Sequence, residues 1–125
     1  MIESLVQTTL DTALTGKNIY VHEKRKSGPD AEEYIVFRRG PTNTSEFADD
    51  TGLVAHDTVT VKYYYKDTML ETHAGRTKVH QNEATIKTAL EAAGFILPSG
   101  YFDAGDVDDI GFMVTVFECE YWMVI

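Results

Sequence analysis

The chain has 125 residues, with 20 acids against 11 bases, a net charge of −9 and one cysteine. That length suits a single domain whose core needs neither disulfide nor metal to fold, and lone Cys119 excludes an internal disulfide, which suits a reducing compartment. The acidic balance disfavours a duplex-DNA binder, whose affinity phosphate repulsion would erode, and no window approaches the roughly 18 apolar residues of a membrane span.

The start, "MIESLVQTTL", lacks the basic leader and continuous apolar stretch of a secretory signal, so a soluble, cytoplasmically made protein is expected. Ile2, Leu5, Val6, Thr9, Leu10, Ala13 and Leu14 recur at helical spacing and predict a helix over 2–15. Glu3 favours its positive end, and Gly16 supplies a left-handed cap. A strand over 18–24, the turn "KSGPDAE" and a returning strand over 33–39 read as a hairpin. Gly40 to Gly52 is polar and rich in turn formers, and reads as a long exposed loop.

"HDTVTVKYYYKD" alternates, with Val59, Val61, Tyr63 and Tyr65 on one face and Thr58, Thr60, Lys62, Tyr64 and Lys66 on the other. That is a strand with one buried and one solvated face. "TMLETHAG" links it to a helix, "RTKVHQNEATIKTALEAAGF", with Val79, Ile86, Leu90 and Ala93 on one side. Thr77 is its expected N-cap, Gly94 its C-terminal cap, and Pro98 lies beyond the stop. "GFMVTVFECEYWMVI" is apolar on both faces until Glu118 and Glu120, as a central strand would be. The order predicts one α+β domain over 1–125: a mainly antiparallel sheet of about four strands with two helices packed on one face.

The densest cluster of chemistry is "DAGDVDDIGF", which holds Asp103, Asp106, Asp108 and Asp109. An EF-hand calcium loop needs oxygens at its first, third and fifth positions, glycine at the sixth and glutamate at the twelfth. From Asp106 the fifth position is Ile110 and the twelfth Phe117; from Asp103 the third is Gly105, so both registers fail. A two-carboxylate magnesium site, or a metal-dependent hydrolase built on it, would need a partner acid elsewhere. Aspartates between glycines also serve as turn builders, since the side chain accepts from the backbone two residues on. His22, His56, His73 and His80 show no ligand spacing. Cys119 sits between two glutamates, which oppose thiolate formation, so it reads as structural. The sequence has no nucleophile elbow, phosphate-binding loop or dinucleotide fingerprint. Neither a catalytic, cofactor nor metal residue is assigned.

The segments "EYIVFRR", "TVTVKYYYKD", "IKTALEAAGF", an acidic turn and "GFMVTVFECEYW", in that order, resemble the tail terminator family of long-tailed bacteriophages, also described as minor tail or tail-to-head joining proteins. The resemblance runs from about Leu5 to Trp122 and is least marked over Gly40 to Gly52. It implies a non-enzymatic virion subunit without cofactor. Such subunits form a ring, a hexamer in the virion even where the free chain is a monomer. The ring caps the tail tube, ends its growth and joins the tail to the head. The implied partners are further copies of the chain, the tail tube protein and the head-completion or connector protein, with no membrane and no specific nucleic-acid binding. Assembly is expected in the host cytoplasm and residence at the head–tail interface.

The candidate assembly contacts are Lys24, Arg25 and Lys26 of "HEKRK", Arg38 and Arg39 of "FRR", Phe47, Asp49 and Asp50 of the loop, Tyr64, and Asp103, Asp106, Asp108 and Asp109. Strand ends and hairpins also carry such charges for solubility alone. The alternative reading is a small acidic binding or inhibitory module of the DNA-mimic type, which would need its carboxylates in a regular double row.

Overall fold

The computed structural model describes residues 2–24, 32–46, 53–106 and 111–124. Helix α1 spans Ile2–Ala13 and buries Ile2, Val6 and Leu10. Strand β1 is Tyr20–Glu23, β2 is Glu33–Glu46 and β3 is Leu53–Lys66; a 3-10 turn at Asp67–Glu71 leads to helix α2, His73–Ala92. Strands β4 (Tyr101–Gly105) and β5 (Phe112–Val124) close the chain. The strands form one five-stranded sheet in the order β1-β2-β3-β5-β4. The architecture is α+β, as expected, and β5 is an interior strand between β3 and β4.

Both helices lie on one sheet face. Ile35, Phe37, Val59, Val61, Tyr63, Tyr65, Phe117 and Cys119 share a buried cluster with Val6 and Leu10 of α1 and Val79, Ile86 and Leu90 of α2. Period-two alternation on the strands and 3.6-residue periodicity on the helices select these positions. Burying each such side chain stabilises the fold by about 1.5–3 kcal/mol. Gly94 adopts φ +103 just past α2. There Phe95 N–H donates to Leu90 O (3.0 Å) and Gly94 N–H to Glu91 O (3.1 Å), a Schellman ending.

Four local expectations change. First, β1 and β2 pair in parallel, Tyr20 beside Tyr34 through Glu23 beside Phe37, and are not a hairpin. Nine residues separate the strands (24–32) and easily span the length of the four-residue β1, so the connection length does not discriminate the two pairings. Second, Gly40–Gly52 is not one long loop. The β2–β3 ladder continues to Glu46 beside Leu53, with a register shift between Arg39 and Thr42. Pro41 falls inside that shift, where a missing N–H is tolerated. Third, α2 is capped by Thr72, not Thr77: the Thr72 backbone is extended and its side chain accepts from Gly75 N–H at 3.0 Å. Fourth, the acidic segment begins in a strand. Asp103 pairs with Thr115, and β4 is the fifth strand that the sequence reading folded into a turn.

Candidate assembly surfaces

A polar network lies between α2 and the sheet. Glu33 on β2 is only 4% exposed. Its Oε1 accepts from the Tyr63 hydroxyl and from Asn82 Nδ2 (2.8 Å), while Oε2 meets Lys78 Nζ at 2.9 Å. Asn82 Nδ2 also reaches the Tyr63 oxygen at 3.1 Å. The next residue, Glu83, accepts from the Thr115 hydroxyl (2.5 Å) and lies 3.2 Å from His80 Nδ1. Burial, reinforced by the hydrogen bond to Glu33, pushes the Tyr63 phenol far above its ordinary range. Tyr65 is pushed up to about 12 by burial, with Asp103 and Glu83 adding to it. The network ties β2, β3, α2 and β5 together. It went unread in the sequence, although Asn82 and Glu83 sit on the α2 stripe between Val79 and Ile86, where a polar residue needs a buried partner.

Among the described residues no helix lies over the opposite sheet face. Tyr34 and Tyr64, paired across β2 and β3, stack with centroids 4.7 Å apart and planes 9° from parallel. Phe112 meets Tyr34 edge-on at 5.4 Å. Beside this aromatic floor runs a groove of about 470 Å³ lined by Val36, Arg38, Thr60, Lys62 and Lys24 among others. Register explains the grouping: Val36 faces Lys62 and Arg38 faces Thr60 on adjacent strands. Lys24 adopts φ +70, and its N–H donates to Phe37 O at 2.7 Å, which turns its side chain out beside the groove. Glu23 approaches Lys24 at 3.9 Å, and Arg39 approaches Glu3 at 3.7 Å.

The two margins of the sheet differ. Because Lys24 N–H points to β2, the carbonyls of Glu23 and Val21 point away from the sheet. Val21 O accepts from Gln7 Nε2 of α1 at 2.9 Å, and Glu23 O lies 2.7 Å from His22 Nδ1. The outward carbonyls of the β1 edge are therefore met by side chains. On the far margin, Glu120 exchanges both backbone bonds with Ile96 at 2.8 Å, so alternate β5 residues face β4. Phe102, opposite Val116, then turns its backbone inward, while Tyr101 and Asp103 turn theirs outward. Tyr101 and Phe102 are among the exposed large hydrophobic side chains. Asp103 Oδ1 accepts from Gly105 N–H (2.7 Å) and Asp106 Oδ2 from Gly111 N–H (2.9 Å).

Of the expected contacts, Lys24, Arg38 and Arg39 gather at the groove together with Tyr64, while Asp103 lies on the edge strand β4 and Asp106 just beyond it. Arg25, Lys26, Phe47, Asp49, Asp50, Asp108 and Asp109 lie outside the described residues. Among the described residues no three His, Cys, Asp or Glu side chains gather around a common point. Cys119 is buried, and burial first, then Glu118, pushes its thiol up to about 12; it is protonated at neutral pH. Lys62, Thr60 and Val36 were missed as groove residues; the clean alternation of β3 already placed Lys62 with Tyr64.

No protein-family model matches the sequence, and no curated protein matches it. Among solved structures, the chain is similar to one from a structure titled "Virion of native gene transfer agent (GTA) particle". The TM-score is 0.49 at 15% identity, with 99% of this chain and 95% of that chain covered.

Proposed function

We propose that the protein is a structural tail subunit of a long-tailed bacteriophage or prophage. Copies associate head to tail in a ring, a hexamer in the virion, that caps the tail tube, ends its growth and docks to the head-completion or connector protein. In this role the chain acts by shape and charge, without catalysis or cofactor, at the head–tail interface of a particle assembled in the host cytoplasm. The segment order supports the reading, as does a fold with helices on one face only.

The observation that carries it is the asymmetry of the sheet. One sheet face carries a cationic, aromatic groove over β2 and β3, and the edge strand β4 carries exposed aromatics and Asp103. Unlike surfaces favour heterologous contacts, which close into rings when the rotation allows. The DNA-mimic alternative needs acids in a surface array, whereas Glu33 and Glu83 are spent inside the network. Sedimentation velocity of the purified chain, alone and with tail tubes, tests the proposal. A closed oligomer, or capping of tube ends, is expected; a chain that stays monomeric at every concentration and ignores tubes would refute it.

A further inference from the structure

We infer that the uncovered sheet face is self-complementary, and that two copies of this chain pack it face to face about a two-fold axis running along β3. The pair goes beyond the ring reading and does not depend on it. Because it covers the groove, pairing and ring contact are alternatives for one subunit.

Strand order makes β3 the middle of five strands, with β2 and β5 on its two sides and β1 and β4 outside them. A two-fold axis along β3 therefore lays β2 over β5 of the second copy, and β1 over its β4. The residues in register across the face suit that exchange. One row reads Arg38, Thr60, Glu118 from β2 through β3 to β5, with the cation and the carboxylate one strand away on either side of the axis. Arg38 and Glu118 are both exposed, and neither forms an ion pair among the described residues. Face to face, each Arg38 meets the Glu118 of the other copy, so one rotation makes two ion pairs.

The next row reads His22, Val36, Lys62, Val116, Phe102 across all five strands. The same rotation sets Val36 against Val116, and Phe102, which is 47% exposed, against the His22 ring. Lys62 approaches its own copy at the axis, a like-charge cost that the Glu118 carboxylates, diagonal to it, offset in part. Sheets packed in this way keep their strands within about 30° and stand about 10 Å apart, a gap that an arginine and a glutamate span together. An acidic segment of another protein is the rival occupant. It would meet Glu118 and Glu120 as like charges on the same face, whereas a second copy turns Glu118 into a contact.

Sedimentation equilibrium of the full-length chain tests the pair. Wild type should show a reversible, concentration-dependent dimer. Arg38→Glu and Glu118→Arg each set like charges across the axis and should weaken it at least about tenfold. The double variant R38E/E118R restores opposite charges at both contacts and should recover wild-type association, with circular dichroism confirming that every variant folds. Thr60 lies on the axis, so the Thr60→Cys chain should be joined to its own copy by a bismaleimide of about 10 Å, while buried Cys119 stays unreactive. A double variant no better than the singles, or a dimer that does not link at Thr60→Cys, would overturn the inference. Wild type that stays monomeric but binds a hexaglutamate peptide through Arg38 assigns the face to an acidic partner, and also overturns it. Tube capping that proceeds without any pair leaves the ring reading intact; a pair that forms while tubes stay uncapped sinks the ring reading alone.

Discussion

Replacing Glu33 by glutamine changes one charge and almost no volume at the centre of the buried network. The carboxylate accepts from Tyr63 and Asn82 through one oxygen and meets Lys78 through the other. Hydrogen bonds to a charged acceptor contribute about 1.5–3 kcal/mol and neutral ones about 0.5–1.5, so each of the two retained bonds weakens by about 1 kcal/mol. Lys78 is half exposed, so its pair with Glu33 is screened by solvent and contributes only about 0.5–1 kcal/mol. The new amide also sets donors against the Lys78 ammonium. The total loss is about 2–3 kcal/mol, which for a domain of this size lowers Tm by roughly 8–12 °C. Urea unfolding monitored by tryptophan fluorescence and circular dichroism measures it. A Lys78→Met variant should lose no more than about 1 kcal/mol. If E33Q is as stable as wild type, or K78M costs as much as E33Q, the network does not hold α2 to the sheet in the way described.

Gly75 is the next sensitive position. A Cβ there would stand 2.0 Å from Met69 O, so Gly75→Ala should cost about 3 kcal/mol or more and disrupt the start of α2 by circular dichroism. Gly100→Ala meets open space at φ +66 and should cost only about 1 kcal/mol, so equal losses would contradict the packing at the 3-10 turn. Stability should also fall in alkali. Tyr63, Tyr65 and Cys119 are all raised in the fold, so the unfolded chain releases their protons first. Their contribution is complete below about pH 9, where the unfolded thiol and phenols are still protonated, and is lost as pH rises toward 12 and beyond. Urea midpoints across that range should decline, less steeply in Tyr65→Phe; a flat profile would show that these groups are not desolvated.

The sequence made the core legible wherever one periodicity held over many residues. The α1 stripe, the odd positions of β3 and the interior place of β5 all follow from such runs. Pairing direction was not legible, because a nine-residue connection reaches back along a four-residue strand as readily as it reverses beside it. The distal half of β2 looked like a loop, since threonine, asparagine and serine carry turn propensity that ladder pairing overrides. Strand β4 escaped notice because Tyr101, Phe102 and Asp103 are all exposed and show no alternation. The surfaces were half visible. Their charges could be read, but the grouping of Arg38 with Lys62 and Tyr64 required the strand order. The carboxylate of Glu33 could not be read as buried, because its partners Tyr63, Lys78 and Asn82 lie 30 to 49 residues away.

The central claim is that copies of this chain join in a closed ring on a tail tube. Negative-stain electron microscopy of tail tubes mixed with the full-length chain tests it most directly. The account predicts a ring of density at one tube end and tubes that stop elongating. Tubes that grow unchanged and carry no terminal density, with the chain remaining monomeric beside them, would contradict it.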